Sequence, residues 1–405
     1  MLKPDSRWLI VLLGALTGLT ALSIDMSLPA LPALTAVFAT TADRAALTLS
    51  MFLLGYSVSQ LFYGPLSDRF GRKPLILAGL ALFTAGGCGC AASAGIGELI
   101  LWRFVQGLGA CAGPILARAV VRDLFERPRS AQILSYMTLV MSLAPLLAPI
   151  LGGYLLIVHW RAIFILLAAI GLIVLIAAWR ALPESIRTYD PRATRPTELA
   201  RNLRDFGRNR SCLGYALLVC FVFCGLFSYI SGSPFVFIEV FGVRSDRYGF
   251  LFGLTAFALM IAALTNSRLV GRVEPATVLR LAVALILAGG IGMLVCAGLK
   301  LGGVAGIIAP MLIYVVGLGL AMPNAVAAAM EPVPHMAGFA SSLIGCLQTA
   351  GGSVTGYLLG AVYNGTALPM ALLVALSAVF AAATYFGFLA SGRTPAAIPR
   401  PASGE

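Results

Sequence analysis

The sequence predicts an all-α membrane protein of twelve transmembrane helices arranged as two pseudo-symmetric six-helix bundles. Three observations carry this. Of 405 residues, 60% are hydrophobic and only 11% charged, a balance foreign to soluble domains. Apolar runs of about 20 residues, enough for a helix to cross a ~30 Å hydrocarbon core, recur along the whole chain. Corresponding short motifs also recur about 200 residues apart. The alternating segments of a β-barrel do not occur in the sequence. The twelve runs lie roughly at 8–36, 43–64, 74–94, 97–121, 130–156, 160–181, 211–237, 246–267, 276–299, 302–323, 334–362 and 366–390.

The first run is too long, and too regularly followed by others, for a cleaved leader. It holds Asp25, the one acid well inside a span, about 17 residues or ~25 Å beyond Trp8. Pro29 lacks the N–H that Asp25's carbonyl would bond, so the helix should kink or open there, with Pro32 extending the irregularity. Such distortion is tolerated only where protein or a water-filled cavity covers it.

Between the second and third runs stands Gly64-Pro-Leu66-Ser-Asp68-Arg69-Phe-Gly71-Arg72-Lys73. Gly71 permits a tight turn, Asp68 can cap a helix N-terminus, and Arg69, Arg72 and Lys73 hold one side of the membrane. The fourth run opens Leu99-Ile-Leu-Trp-Arg103-Phe-Val-Gln106-Gly107. An Arg at mid-depth costs on the order of 3 kcal/mol even on the lenient insertion scale, so a partner is expected, and Asp25 is the candidate. Asp25 then either carries a proton or forms a permanent strut with Arg103. The fifth run carries Ala144, Ala148 and Gly152 on one face beside Pro149 and Gly153, and the eleventh repeats the device with Gly352, Gly356 and Gly360. Ordinary close helix packing accounts for both stripes.

The longest polar stretch divides the chain into a bundle at 1–182, a basic linker at 183–210, a second bundle at 211–392 and a tail at 393–405. Gly107-Leu108-Gly109 with Pro114 matches Gly317-Leu318-Gly319 with Pro323, and Gly153-Tyr154-Leu155-Leu156 matches Gly356-Tyr357-Leu358-Leu359. The halves therefore read as parallel repeats, the plan on which many transporters place a midplane site. One set of connections holds most Lys and Arg, and the other only Arg44, Arg161, Arg244, Arg247 and Lys300, which puts both termini in the cytoplasm. The net charge of +12 is thus topological, with no nucleic-acid partner implied. Trp160 and Trp179 bracket the sixth run as interfacial anchors. The eight cysteines read as small packing residues, and Cys220 and Cys224 share a face without the geometry for a disulfide. With only His159 and His335, no nucleophile–base set and no Walker-type loop, neither an enzyme nor an ATP-driven pump is expected.

The loop motif, the Arg103 motif and the fifth-span motif together resemble the major facilitator superfamily, and within it the twelve-span drug:proton antiporters. Ser23-Ile-Asp25-Met-Ser-Leu-Pro29-Ala-Leu-Pro32, Phe227-Ser-Tyr229-Ile-Ser-Gly-Ser-Pro234, Asn266-Ser-Arg268 and Pro334-His-Met-Ala-Gly338 narrow the likeness to the bicyclomycin-resistance and chloramphenicol/florfenicol exporter branch. The resemblance implies a multi-pass inner-membrane protein, monomeric and without cofactor, exchanging drug-like small molecules for H⁺ by alternating access. A lone carboxyl suits a proton better than Na⁺. Asp25 and Arg103 would carry the coupling. Met26, Gln106, Phe227, Tyr229, Met322 and Asn324 would line the substrate cavity, although aromatic and Met stripes are often core. Gly64, Asp68, Arg69, Gly71, Arg72 and Lys73 would form a conformational latch with Asp123 and the start of the eleventh span at 334–338. Ala148, Pro149, Gly152 and Gly153 would form the antiporter motif, in which Ala144 and Ala148 replace glycines. Ser27 replaces a Tyr common in that branch. A dedicated exporter or importer of a metabolite, such as an amino acid or sugar, is the alternative.

Overall fold

The computed structural model describes residues 6–186, 188–191 and 193–389, so the tail expected at 393–405 lies outside the described residues. Among these the chain is helical without strands. Eleven helices are long and apolar enough to cross a membrane: Trp8–Val37, Ala42–Phe70, Arg72–Ala92, Ile96–Leu124, Pro128–Val158, Trp160–Ala181, Arg210–Val240, Ser245–Leu269, Pro275–Gly298, Gly303–Met330 and Leu368–Leu389. The remaining expected span, the eleventh, is Ala337–Val362, whose 26 residues suffice in length while Gly, Ser and Thr dilute its apolar character. One face, with Gly352, Ser353 and Gly356, is buried against neighbouring helices, while Val354, Tyr357 and Leu358 are exposed on the other. Pro196–Arg208 forms a separate helix in the linker, held by the buried ring of Phe206.

Each half repeats one packing plan. In the first, span one packs on five, two on four, and three on both four and six. In the second, seven packs on eleven, eight on ten, and nine on both ten and twelve. Adding six to each partner converts one set into the other, which is the pseudo-symmetry foreshadowed by the repeated motifs. Glycines permit the closest crossings: a Cβ on Gly107 would stand 2.0 Å from the Phe52 carbonyl oxygen, and one on Gly317 2.6 Å from that of Ala282.

Two seams join the bundles, and they are exchanged by the same operation: two against eleven, and five against eight. Both are tight on the side away from the linker. Ser353 Oγ donates to the Ser50 carbonyl at 2.7 Å and Ser57 Oγ to that of Cys346 at 2.9 Å. Gly360 abuts Asp43, Gly153 abuts Ser245, and Gly249 abuts Ile150. Towards the linker the spans part around a cavity, so the molecule is closed on one side and opens on the other.

One expected anchor is corrected. Trp160 is 3% exposed rather than facing an interface, because Phe38 packs edge-on to its ring at 5.2 Å and Arg161 stacks over it at 4.7 Å. Trp179 is exposed as expected.

Gly107→Val should lower the melting temperature of the purified protein by roughly 2–10 °C, the equivalent of about 1–3 kcal/mol, because the clash is with backbone. Gly298→Ala, where a Cβ meets open space, should melt with the wild type. Equal melting of all three would refute the crossing's importance.

Candidate functional site

The first span stops being an α-helix at Asp25, makes a 3-10 turn over Leu28–Ala30, and resumes as an α-helix at Leu31. The break falls where Pro29 withholds its N–H. The single Ser27 O–H supplies a donor that the backbone no longer offers, within reach of the Ile24 carbonyl at 2.9 Å and the Ser23 carbonyl at 3.2 Å.

Arg103, 1% exposed, converges on this break, but not on Asp25. Its guanidinium donates to Gln106 Oε1 at 2.8 Å, the Ser23 carbonyl at 3.2 Å and Ser27 Oγ at 3.4 Å, and it lies over the Phe52 ring at 4.3 Å. The expected Asp25–Arg103 pair is therefore corrected: no ion pair joins them among the described residues. The reason is helical geometry. Ser23 and Ser27 stand two residues either side of Asp25, and at about 100° per residue they face away from its side chain. Arg103 instead serves as the cation at a helix C-terminus, where carbonyls are left without partners.

Asp25, 5% exposed, lies in the wall of a cavity of about 820 Å³ between the bundles. Its carboxylate has no hydrogen bond or ion pair among the described residues. The cavity runs from Asp25 towards Thr138, Ala263 and Met330 on the linker side. Phe227, Tyr229 and Met322 lie on its wall. Rings order this wall, with Phe223 stacked on Phe227 at 6.0 Å and Tyr229 on Phe252 at 6.1 Å.

Three expected lining residues lie elsewhere. Met26 is fully buried with its carbonyl beneath Gly152, where a Cβ would approach to 2.1 Å. Gln106 shares Arg103's helix face, three residues on, and is buried with it inside the first bundle. Asn324 turns from the cavity to donate to Asn266 Oδ1 at 2.7 Å and the Leu320 carbonyl at 2.8 Å, tying the tenth span to the eighth. Ala148 is buried, Pro149 lies inside the fifth helix, and Gly152 and Gly153 make the close approaches to Met26 and Ser245.

The charged loop assembles on the linker side. Gly71, at φ +101°, turns the chain between the second and third spans. Arg72 pairs with Asp68 at 2.6 Å and with Asp123 at 3.1 Å, and donates to Ser67 Oγ. Ser67 Oγ in turn donates to the Gly64 carbonyl. Arg69 donates to Thr194 Oγ1 in the linker at 2.7 Å. Asp68 does not cap the third span as anticipated, since Glu184 from the linker accepts the N–H groups of Arg72 at 2.9 Å and Lys73 at 3.1 Å. Nor do hydrogen bonds join the loop to 334–338 among the described residues. In this conformation it binds linker to first bundle, and the halves are parted on that side. Glu184, Ser185, which donates to Asp123 at 3.0 Å, and Thr194 were missed from the sequence because their partners lie over sixty residues away. Arg118, on the cavity wall, was missed although an Arg one turn before Arg122 marked a second cation within the fourth span.

The sequence matches the family model described as Major Facilitator Superfamily over residues 13–356. It is 33% identical over 399 residues to the Bicyclomycin resistance protein homolog of Haemophilus influenzae, covering 96% of this chain and 98% of that one. It is 30% identical to Multidrug resistance protein MdtL of Escherichia coli over 97% of this chain and 98% of the relative. Among solved structures, an inward-facing, unoccupied bacterial homolog of the human lysosomal transporter Spinster superposes with a TM-score of 0.72 at 17% identity, covering 98% of this chain and 100% of that one. A D-xylose–proton symporter gives 0.69 at 17% identity, with 93% and 97% covered. Both likenesses are of fold.

The loop cluster can be checked without any substrate. Glu184→Ala removes a cap of about 1–2 kcal/mol, so protease cleavage within the linker should accelerate about tenfold. Glu184→Gln should fall between it and the wild type. Unchanged cleavage of the alanine variant would show that Glu184 does not hold the linker.

Proposed function

The chain belongs to the major facilitator superfamily, and from that premise we propose that it is a proton-coupled antiporter exporting small lipophilic, neutral or weakly charged drug-like compounds across the bacterial inner membrane. The observation that carries the reading is the unpaired Asp25 carboxyl at the closed end of a largely apolar cavity between two bundles. A carboxyl free of partners is able to bind and release a proton as its surroundings change, whereas one locked to Arg103 would resist doing so. The family is one of transporters, not enzymes, and the names of relatives from two bacteria point to drug resistance.

In the proposed cycle both termini are cytoplasmic, so the present conformation is inward-facing. Residues 1–182 and 211–392 rock as units joined by the linker at 183–210, with no cofactor and as a monomer. Substrate enters from the linker side against Phe227, Tyr229 and Met322, whose apolar area suits varied ligands. The seams of two with eleven and five with eight then part while the linker side closes. Release outward frees the site for a proton on Asp25, and the protonated, neutral carboxyl accompanies the return inward. Gly152 and Gly153 matter here because the fifth span must separate from Ser245 and close again on it.

The test uses protein reconstituted into acid-inside vesicles, where outward proton flow should drive inward accumulation of radiolabelled chloramphenicol or bicyclomycin. Collapse of the pH gradient should abolish it. Asp25→Asn should lose gradient-driven accumulation by at least tenfold while retaining exchange of labelled for unlabelled compound. Undiminished accumulation in Asp25→Asn would remove Asp25 as carrier. Failure of the wild type to accumulate any lipophilic drug under the gradient would remove the export reading altogether.

A further inference from the structure

Resting on the reading of the cavity as substrate site, the geometry points to Arg118 as the residue that selects substrates there, anchoring a carboxylate or similar anionic group while the opposite wall takes an apolar body. The two walls differ in charge. The first bundle contributes both charged groups, Asp25 and Arg118, together with Thr20, Tyr56, Thr138 and Ser142 among apolar residues such as Leu53 and Met141. Facing them, the second is mainly apolar, with Phe227, Leu259, Met260, Met322 and Met330, and holds no charged residue, its polar groups being Tyr229, Thr255 and Thr349. An amphiphile with one anionic end matches the division.

Arg118 differs from the molecule's other inward-placed cations. Arg103 has three hydrogen bonds and two ring faces, Arg72 two carboxylates, and Arg161 two carbonyls. Arg118 is exposed to the cavity and has no hydrogen bond, ion pair or ring contact among the described residues. Its five donors form a planar fork that matches a carboxylate bidentately. Membrane orientation does not require it, because Arg122 and Arg129 already mark that end of the fourth and fifth spans.

Depth separates the two charges. Arg103 sits at the level of Ser23 and Ser27, hence of Asp25, and Arg118 lies fifteen residues further along the fourth span. That is on the order of 20 Å towards the linker side. A substrate carboxylate held by Arg118 is thus kept away from Asp25, and its apolar body can extend along the Met-rich wall. A cationic analogue meets Arg118 first and is repelled.

Binding to the full-length protein in phosphatidylcholine nanodiscs tests this with three matched fluorescent probes: 1-pyrenebutyrate, 1-pyrenebutanamide and 1-pyrenebutylammonium, each corrected against empty nanodiscs. The wild type should bind the carboxylate at least tenfold tighter than the amide, and the ammonium weakest. Arg118→Gln should reduce the carboxylate to the level of the amide and leave the amide unchanged, which also reports that the variant is folded. Arg118→Lys, keeping charge but not the fork, should retain part of the preference. Equal binding of carboxylate and amide by the wild type, or a preference surviving in Arg118→Gln, would overturn the role of Arg118 and leave the cavity as substrate site. Failure of all three probes to bind the wild type would overturn both.

Discussion

Pro29 has no hydrogen to offer the Asp25 carbonyl, and the arrangement at the closed end of the cavity depends on that missing donor. An unbroken helix would satisfy the Ser23 and Ile24 carbonyls internally and leave Arg103 without an acceptor on the first span. With the helix opened, Ser23 offers its carbonyl and Ser27 its hydroxyl, and a guanidinium buried at 1% exposure becomes tenable. The same break fixes the direction of Asp25. Its neighbours two residues away on either side hold Arg103, so its own side chain is directed to the opposite face and into the cavity.

How much of this was legible in the sequence follows from the range of each signal. The spans were readable because lipid imposes one length and one composition on any helix that crosses it. The break at Asp25 was readable because Pro29 acts on a carbonyl four residues away. The partners of Arg103 are not an opposite charge but an amide oxygen, a carbonyl and a hydroxyl, which a charge-pairing rule does not reveal. Helical phase already placed Ser23 and Ser27, not Asp25, on a common face, so that correction was available from the sequence. Gln106 was misplaced for the same reason, sharing the face of Arg103 at a spacing of three. The cap by Glu184 was beyond reach, because nothing local couples a linker carboxylate to N–H groups more than a hundred residues earlier.

The loop cluster and the seams are complementary. Where the spans of opposite bundles touch, hydroxyls donate across to carbonyls and glycines admit backbone, so the contact is specific but contains no ion pair among the described residues. Where the bundles part, the ionic groups of Asp68, Arg72 and Asp123 are satisfied within one bundle and its linker. A seam made of neutral hydrogen bonds and small-residue contacts opens at less energetic expense than one made of buried charge pairs, which would have to be rehydrated. Such a seam suits the alternating opening proposed above.

The same economy orders the cavity. The second bundle contributes mostly hydrocarbon, sulfur and aromatic rings to its wall, while both charged groups belong to the first. A wall that must accept ligands of varied shape gains from polarizable, rotatable side chains without fixed hydrogen-bonding demands. A wall that must distinguish protonation or charge needs groups held at defined depths by rigid elements. The first bundle supplies this, with Asp25 set at a helix break beneath the tight approach of Gly152 to Met26, and Arg118 placed further along the fourth helix. Pseudo-symmetric packing therefore does not entail symmetric chemistry. One repeated architecture carries a wall suited to apolar contact opposite a wall that holds both charged groups.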